Sequence, residues 1–253
     1  VMEMLIPDWP APASVKTVVS TRIGGFSAKP WDSLNLAFHV GDDTQKVAEN
    51  WSQLTGQLDL PSSPQLLNQV HGTELVEAQC DGLVPTADGC FSHTRGRVCT
   101  VMTADCLPIF LCNRAGTEVA VFHAGWRGLA AGIIGSTIAC FSSIPSQLMA
   151  YLGPAISQKH FEVGGEVREV FLSDTFHRYS RSAVENAFLK GNGTQNTNKW
   201  MANIYELARV ALNEAGVDQI YGGDFCTYED VHRFYSYRRD GQTGRMASLI
   251  WIS

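Results

Sequence analysis

The sequence predicts an α+β fold in which mainly antiparallel sheets form a layered sandwich with flanking helices. Two observations lead to this class. Several short apolar runs lie at the spacing of β-hairpins, and three or four stretches of helical periodicity are interspersed among them. The 253 residues contain no internal repeat and no linker-like composition, so we expect a single domain over residues 1–253.

Composition limits the classes of function. The chain is 45% hydrophobic and 17% charged, as in soluble globular proteins with a large core. The formal net charge of -6 argues against a nucleic-acid-binding surface, and no apolar run approaches the length of a membrane span. Seven cysteines without CxxC pairs fit a reducing compartment, and no secretion signal is seen. We therefore expect a cytoplasmic protein, monomeric or homodimeric, that binds neither membranes nor nucleic acids.

The first elements are a strand and a helix. Residues 15–21 predict a strand because β-branched side chains dominate the run. Residues 41–44 supply a helix N-cap, and Val47, Trp51 and Leu54 recur at the spacing of one helix face. We expect that face to pack in the core.

A hairpin follows in the middle of the chain. Residues 107–112 and 117–122 are apolar runs that flank a polar four-residue connection, 113–116, which suits a type I turn. Counting along this register places Cys106 directly opposite His123, with Cβ atoms ~5 Å apart on the same face. A thiolate and an imidazole at that separation can share one metal ion.

Two features qualify the hairpin prediction. Buried cysteine often acts only as a small hydrophobic residue, so the pair could be structural. Pro108 lies inside the first strand, which predicts either an edge strand or a bulge that would shift the register. His71, delivered by a short predicted strand at residues 66–70, would supply a third ligand. Otherwise it is a hydrogen-bonded histidine at a strand end.

The segment after His123 has an anion-binding composition. Residues 124–128 are small residues with one tryptophan and one arginine, and they lead into a predicted helix over residues 129–141. Free backbone N–H groups at such a helix start, together with Arg127, suit an oxyanion or phosphate. Alternatively, the glycines only permit close packing and Arg127 pairs with a carboxylate. Trp126 suits stacking on a flat ligand or anchoring in the core.

The C-terminal half continues the α+β pattern. Aromatic residues beside Arg238, Arg239 and Arg245 suit a planar anion, or else form a solvated basic face around a turn. The most loop-like tract is residues 191–198. The remaining predicted elements are strands at 148–152, 218–221 and 246–252, and helices at 166–176 and 201–215, the latter ended by Gly216.

The Cys-His-His set allows three chemistries. Two imidazoles and a thiolate leave one tetrahedral position open, which is the pattern of catalytic zinc, and Asp105 is then the nearest candidate for proton transfer. The same set is the trigonal part of blue-copper sites, for which Met102 would have to be the axial ligand. Without a metal, Cys106 would be a nucleophile and His123 its base, as in cysteine hydrolases.

Five motifs together resemble one family. They are NQVHG at 68–72, TADC at 103–106, HAGWRG at 123–128, LGPAI at 152–156 and FYSYRRDGQTGRM at 234–246. The chain thereby resembles the laccase-domain, or polyphenol-oxidase-like, family of YfiH type, from residue 21 to the C-terminal strand. The resemblance implies a sandwich-like α+β catalytic domain related to that of cytotoxic necrotizing factor. It also implies that His71, Cys106 and His123 are zinc ligands and catalytic residues.

The resemblance further implies a purine-nucleoside enzyme. The expected reactions are phosphorolysis of adenosine, inosine, guanosine and S-methyl-5'-thioadenosine, and hydrolytic deamination of adenosine. Local physics then suggests Arg127 and the amides of Gly125–Gly128 as the phosphate site, with Trp126 and Asp105 also at the substrate. Two alternatives from the family are a copper-dependent polyphenol oxidase and a Cys-His amide hydrolase linked to peptidoglycan precursor editing.

Overall fold

The computed structural model describes residues 2–173, 181–191 and 198–253. It confirms the predicted class, because most strand pairs are antiparallel and short helices flank the sheets. The strands are β1 (Met4–Leu5), β2 (Val15–Ser20), β3 (Leu75–Glu77), β4 (Gly89–Ser92), β5 (Cys99–Thr103), β6 (Leu107–Asn113), β7 (Val119–Ala124), β8 (Leu148–Leu152), β9 (Glu162–Gly164), β10 (Phe188–Lys190), β11 (Lys199–Ala202), β12 (Gln219–Gly222) and β13 (Met246–Ile252).

The helices are mostly short. They are α1 (Thr44–Leu58), α2 (Trp126–Ala131), α3 (Ile133–Ile138), α4 (Gly165–Leu172), α5 (Arg181–Asn186), α6 (Ile204–Glu214) and α7 (Tyr237–Asp240), with a 3₁₀ turn at Pro145–Gln147. Among the described residues, no helix combines the length and apolar character needed to cross a membrane.

Two sheets form the sandwich. A six-stranded sheet has the order β12-β8-β6-β7-β4-β3, in which only β12–β8 and β3–β4 are parallel pairs. A four-stranded antiparallel sheet has the order β1-β2-β13-β5, and a small sheet, β10-β11-β9, pairs with neither but contributes to the core on the helix-covered face of the six-stranded sheet. The four-stranded sheet therefore joins strands from the two ends of the chain.

Alternation along the central strands explains the layers. Ile109 and Leu111 of β6 belong to a core shared with α2, α3, α4 and α6, whereas Phe110 and Cys112 belong to a core shared with β2, β5 and β13. Helix α1 packs on the outer face of the four-stranded sheet through the predicted apolar positions, among them Trp51. Because both faces of β6 and β7 are covered, these strands are buried along their whole length and apolar except at Asn113 and His123.

Several predicted elements are confirmed, with differences at their ends. Strands β2, β8 and β13 and helix α1 lie where the sequence predicts them, and Asp43 caps α1. The predicted helix 129–141 starts earlier, at Trp126, and is broken at Gly132, whose φ of 99° is left-handed. The predicted helix 201–215 begins only at Ile204 because Asn203 caps it and the preceding residues pair in β11.

Other predictions differ more. The predicted strand at 66–70 is wrong, because this segment makes only one isolated bridge, at Asn68 with Thr86, and a second bridge lies just before it, at Gln65 with Cys99. Helix α4 ends at Leu172, and the rest of the predicted helix 166–176 lies largely outside the described residues. Most of the predicted loop 191–198 also lies outside them.

The hairpin register is two residues away from the prediction. Pro108, not Cys106, lies opposite His123. The connection still has four residues, but it begins one residue later, because Asn113 pairs with Glu118 through its backbone N–H. The prediction that Pro108 marks an edge strand or a bulge is also wrong, since β6 lies inside the sheet. The Pro108 carbonyl accepts the Gly153 N–H, one residue beyond the last residue of β8 that pairs with β6. Because Pro108 lies at this end of the pairing, its missing N–H breaks no hydrogen bond between the strands.

Candidate functional site

Three side chains from separate segments meet at one end of the sandwich. His71 lies in the loop after the isolated bridges, Cys106 in the bend between β5 and β6, and His123 near the end of β7. Their ligand atoms all lie within 4.8 Å of one another, and Nε2 of His71 is 3.9 Å from Sγ of Cys106. The two imidazole rings lie edge to face, with their centroids 4.7 Å apart.

The bend before β6 brings Cys106 to this cluster despite the shifted register. Asp105 has a φ of 88°, in the left-handed region, so the chain turns sharply just before Cys106. The predicted proximity of Cys106 and His123 is therefore present, but a turn creates it and not a directly opposed strand pair.

Asp88 organises both histidines. Its carboxylate accepts the backbone N–H groups of Val70, His71 and Gly72 at 3.1, 2.9 and 2.6 Å, which holds His71 in a left-handed conformation with φ 62°. The same carboxylate lies 2.8 Å from Nδ1 of His123. Burial alone would raise the pKa of Asp88, but these hydrogen bonds lower it below the usual range.

The charge on Asp88 determines how His123 is presented. Because an ionised carboxylate can only accept, Nδ1 of His123 carries the proton, and Nε2 faces the cluster as a ligand atom. Burial would raise the pKa of Cys106, yet His123 and His71 bring it below its ordinary value. Burial would lower the pKa of His123, whereas the Cys106 thiolate and Asp88 raise it. The cluster thus favours a thiolate.

The space between the three ligands fits a metal ion. Tetrahedral zinc with bonds of about 2.3 Å to sulfur and about 2.0 Å to nitrogen separates those donors by roughly 3.6 Å, close to the observed 3.9 Å. A Cβ atom at Gly125 would lie 3.0 Å from Cδ2 of His71 and 3.1 Å from Sγ of Cys106. Only glycine at position 125 leaves the space between the three ligand side chains free.

Two cavities meet at the cluster. The smaller, of about 190 Å³, is lined by His71, Ala104, Asp105, Cys106, Gly125, Trp126, Arg127, Ile156, Phe161, Ile204, Tyr237 and Arg238. The larger, of about 420 Å³, is lined by His39, Gln69, His71, Met102, Thr103, Ala104, Cys106, His123, Tyr237 and Arg245. His71, Ala104, Cys106 and Tyr237 line both, so the cluster lies at their junction and can meet a ligand from either side.

The other predicted site residues all line the smaller cavity. Arg127 is exposed and lies over the Trp126 ring, 4.4 Å from its centroid. Both carboxylate oxygens of Asp105 are already engaged, by the Thr227 hydroxyl at 2.7 Å and the Arg238 N–H at 2.6 Å. Helix α2 has only six residues, so its dipole adds little to anion binding at Gly125.

Sequence reasoning missed Asp88 and Tyr237 and left Arg245 unresolved. Asp88 appears only in an Ala-Asp-Gly turn, and nothing local shows that two distant histidines use it. Tyr237, 61% exposed, belongs to the aromatic and basic segment that the sequence did mark as able to grip a planar anion. The signal that could have found Tyr237 and Arg245 was the concentration of arginine and tyrosine in that segment.

A second group of potential ligands consists of His160, Cys226 and Glu229. Glu229 already accepts hydrogen bonds from Lys159 at 2.6 Å and from His160 at 3.0 Å. A cation there would have to displace the Lys159 ammonium, so this group is accounted for as an ion-pair network.

An α+β sandwich with two imidazoles and a thiolate beside ligand-sized cavities defines a candidate metalloenzyme. Residues 16–253 match the family model described as multi-copper polyphenol oxidoreductase laccase, and the chain belongs to this family. The resemblance predicted from the five motifs is thereby confirmed.

Named relatives and solved structures match this chain over nearly its whole length. The chain is 49% identical over 251 residues to "Purine nucleoside phosphorylase YfiH" of Escherichia coli (strain K12), covering 99% of each chain. It is 49% identical over 248 residues to a Pseudomonas aeruginosa protein also named purine nucleoside phosphorylase, covering 98% of each. A Neisseria meningitidis crystal structure superposes with a TM-score of 0.91 at 46% identity and 99% coverage of both chains. The crystal structure of YlmD from Geobacillus stearothermophilus superposes with a TM-score of 0.86 at 28% identity, covering 96% of this chain and 94% of that chain.

Proposed function

We propose that this protein is a zinc-dependent purine nucleoside phosphorylase whose metal ligands and catalytic residues are His71, Cys106 and His123. The observation that carries the proposal is the convergence of these three ligand atoms within 4.8 Å at the junction of two cavities. Relatives at 49% identity over nearly the whole chain are named purine nucleoside phosphorylase, and their name supplies the reaction class.

The residues around the cluster have separable roles in this proposal. Bound zinc would supply a Lewis acid at the reacting centre. Asp88 keeps His123 in the tautomer that presents Nε2, and the N–H groups it binds hold His71 in place. Gly125 keeps the space between the ligands free for the ion.

The smaller cavity suits a purine nucleoside. Trp126, Phe161 and Tyr237 give it aromatic walls, and Ile156 and Ile204 are apolar, as flat heteroaromatic rings require. We therefore propose adenosine, inosine, guanosine and S-methyl-5'-thioadenosine as substrates, with Asp105 and Arg127 at the polar edge. Deamination of adenosine is proposed for the same site, where water would attack the purine C6.

The decisive experiment combines metal analysis with product analysis. Protein purified without added metal is expected to contain one zinc per chain and no blue absorption, which would exclude the copper-oxidase alternative. Incubation with adenosine and phosphate should yield adenine and ribose-1-phosphate, and incubation without phosphate should yield inosine. Absence of all three products at high enzyme concentration would refute the proposal, and Cys106→Ser is expected to abolish each reaction.

A second candidate is a metal-free cysteine hydrolase. Cys106, His123 and Asp88 form a thiol–imidazole–carboxylate series, and the environment favours the Cys106 thiolate. Protein stripped of metal that still hydrolyses amide substrates, such as peptidoglycan precursors, would favour this candidate. Loss of turnover on metal removal would exclude it.

We also propose that residues 1–253 act as one catalytic domain, cytoplasmic and monomeric or homodimeric, with small molecules as partners. The pairing of β2 with β13 supports a single unit, because it joins the two ends of the chain in one sheet. Ultracentrifugation of the purified protein tests the oligomeric state.

A further inference from the structure

The larger cavity differs from the smaller one in charge. No aspartate or glutamate is among its lining residues, whereas His39, His71, His123 and Arg245 are. The smaller cavity, in contrast, contains the Asp105 carboxylate together with Arg127 and Arg238, and most of the aromatic and aliphatic walls. No carboxylate side chain therefore lines the space in which an oxyanion would contact Arg245, although the Asp105 carboxylate and the Cys106 thiolate also act on that guanidinium from nearby.

Arg245 is the cation that defines this cavity. Its Nη1 donates to the carbonyl oxygens of Thr243 and Gly244, both at 3.0 Å, and its guanidinium lies 5.8 Å from the centre of the Tyr237 ring. Within residues 2–173, 181–191 and 198–253, Arg245 forms no ion pair, and its Nε and Nη2 have no acceptor. The N–H groups of Nε and Nη2 on this partly buried guanidinium thus remain available to a ligand.

Two other arginines near the site, Arg238 and Arg239, are already engaged, and a third, Arg127, lies exposed to solvent. Arg238 donates to the carbonyl oxygens of His160 and Glu162 at 3.4 and 2.9 Å. Arg239 pairs with Asp240 at 2.7 Å. Arg127 is exposed at the rim of the smaller cavity and stacks on Trp126. Arg245 is therefore the better placed cation for an anion that must reach the metal cluster.

The backbone holds Arg245 rigidly. Its N–H donates to Oδ1 of the buried Asn35 at 3.0 Å, and the chain continues directly into the buried strand β13. A Cβ atom at the preceding residue, Gly244, would lie 2.6 Å from Tyr235, so close packing fixes the approach as well. A cation fixed in this way binds an anion with little ordering cost.

We propose that Arg245 binds the phosphate substrate and that the larger cavity is the phosphate subsite. This inference rests on the proposed phosphorylase function and is an alternative to the sequence-based assignment of phosphate to Arg127. The nucleoside occupies the smaller cavity, so its C1' atom and a phosphate oxygen meet at the junction of the two cavities. Tyr237, which lines both, separates the purine from the anion.

The group transfer balances without a further reactant. A phosphate oxygen forms a bond to C1' while the bond from C1' to the purine nitrogen breaks. The electron pair of the broken bond leaves with the purine, which takes up the proton that the attacking dihydrogen phosphate loses. Arg245 holds the phosphate charge throughout and exchanges no proton, because guanidinium stays protonated.

Steady-state phosphorolysis of adenosine at varied inorganic phosphate tests the assignment. Arg245→Gln is expected to raise the KM for phosphate about 10- to 100-fold, the range for loss of a hydrogen bond to a charged group, with little change in the KM for adenosine. Arg245→Lys should restore part of the loss. Arg114→Gln, on the exposed hairpin connection, is the matched control and should leave the KM for phosphate unchanged.

Calorimetric titration of the zinc-loaded protein with inorganic phosphate gives a readout independent of turnover. Wild type should bind phosphate and Arg245→Gln should bind at least tenfold more weakly, with circular dichroism confirming that the variant is folded. Equal phosphate binding by both proteins, or a raised KM for phosphate in Arg127→Gln but not in Arg245→Gln, would overturn the inference. A wild type that binds phosphate through Arg245 but makes no ribose-1-phosphate would refute the proposed function alone.

Discussion

Gly125 determines how much space the three candidate ligands leave between them. Its backbone has φ -62° and ψ 159°, which any residue can adopt, so conformational freedom is not the reason for glycine here. The reason is contact, because a Cβ atom would approach His71, Cys106 and His123 at 3.0, 3.1 and 3.5 Å.

Gly125→Ala should therefore weaken metal binding without unfolding the protein. The added methyl group pushes the ligands apart by a few tenths of an ångström, and we expect at least about a tenfold loss of zinc affinity, comparable to disturbing groups that orient ligands. Competition with a chromophoric chelator measures this affinity.

Gly135→Ala is the matched control. Gly135 lies in α3 with open space around its Cα, so alanine there should leave zinc affinity unchanged and slightly stabilise the helix. Wild-type zinc affinity in Gly125→Ala would contradict the role assigned to Gly125.

Sequence reasoning reached the ligands more easily than the residue that orients them. Cysteine and histidine are common metal ligands, so their residue types alone indicate a metal site. The motifs that contain His71, Cys106 and His123 also resemble those of one family. Asp88 is a common residue in a common turn. Its function comes from contacts with His71 and His123, which lie 17 and 35 positions away in the sequence. Such long-range partners leave no local pattern.

At the scale of elements, Glu118 ties the central hairpin to the segment before β8. Its carboxylate accepts the N–H of Ser142 at 2.6 Å and of Ser143 at 3.1 Å, and also the Ser143 hydroxyl and the Asn113 amide. Burial alone would raise the pKa of Glu118, but these hydrogen bonds bring it below its ordinary value.

The stability that Glu118 contributes should depend on pH. A carboxyl group with a lower pKa in the folded state stabilises the protein above its unfolded pKa, near 4.5, and this stabilisation is lost as pH falls through the folded value. Glu118→Gln should lower the free energy of unfolding by about 1–2 kcal/mol at pH 7. In urea titrations, the difference from wild type should shrink below pH 4.5.

His93, whose Nε2 is 3.8 Å from Glu118, provides the control for a simple ion pair. His93→Gln should retain most of the acid dependence, because the serine and asparagine donors remain. A constant difference between wild type and Glu118→Gln from pH 7 to pH 3 would contradict this account.

The hairpin illustrates which part of an element is predictable. Apolar periodicity located β6 and β7, and the polar tract located the connection between them. The register could not be read from the same pattern, because both strands are buried on both faces and a shift of two residues leaves each side chain on the same face of the sheet. The side chain of Asn113, which accepts the N–H groups of Thr117 and Glu118, selects the observed register.

At the scale of the whole molecule, the cluster joins three segments that the sequence separates by up to 52 positions. A bound ion would link the loop at His71, the bend at Cys106 and strand β7. Since the ion binds the folded state, it should shift the folding equilibrium in proportion to its occupancy.

Zinc should therefore raise the free energy of unfolding by about 2.7 kcal/mol when its free concentration is a hundred times its Kd. Chelator-treated and zinc-loaded protein can be compared by thermal or denaturant unfolding. In Cys106→Ser the increase should be nearly absent. An equal increase in that variant would place the stabilising ion elsewhere.

The fold class was predictable at this scale, but the strand order was not. The alternation of apolar runs and helical stretches indicates α+β, and nothing in that alternation shows that residues 246–252 pair between β2 and β5. The pairing with β2 brings together residues more than 200 positions apart, and Arg245, which lines the larger cavity, directly precedes β13.

The central place of β13 has a consequence for biosynthesis. Strands β2 and β5 emerge from the ribosome long before the partner that lies between them, so each exposes an apolar, unpaired edge while the rest of the chain is being made. Until that last strand inserts, the nascent polypeptide presents sites for aberrant self-association, and chaperone protection matters most in this interval.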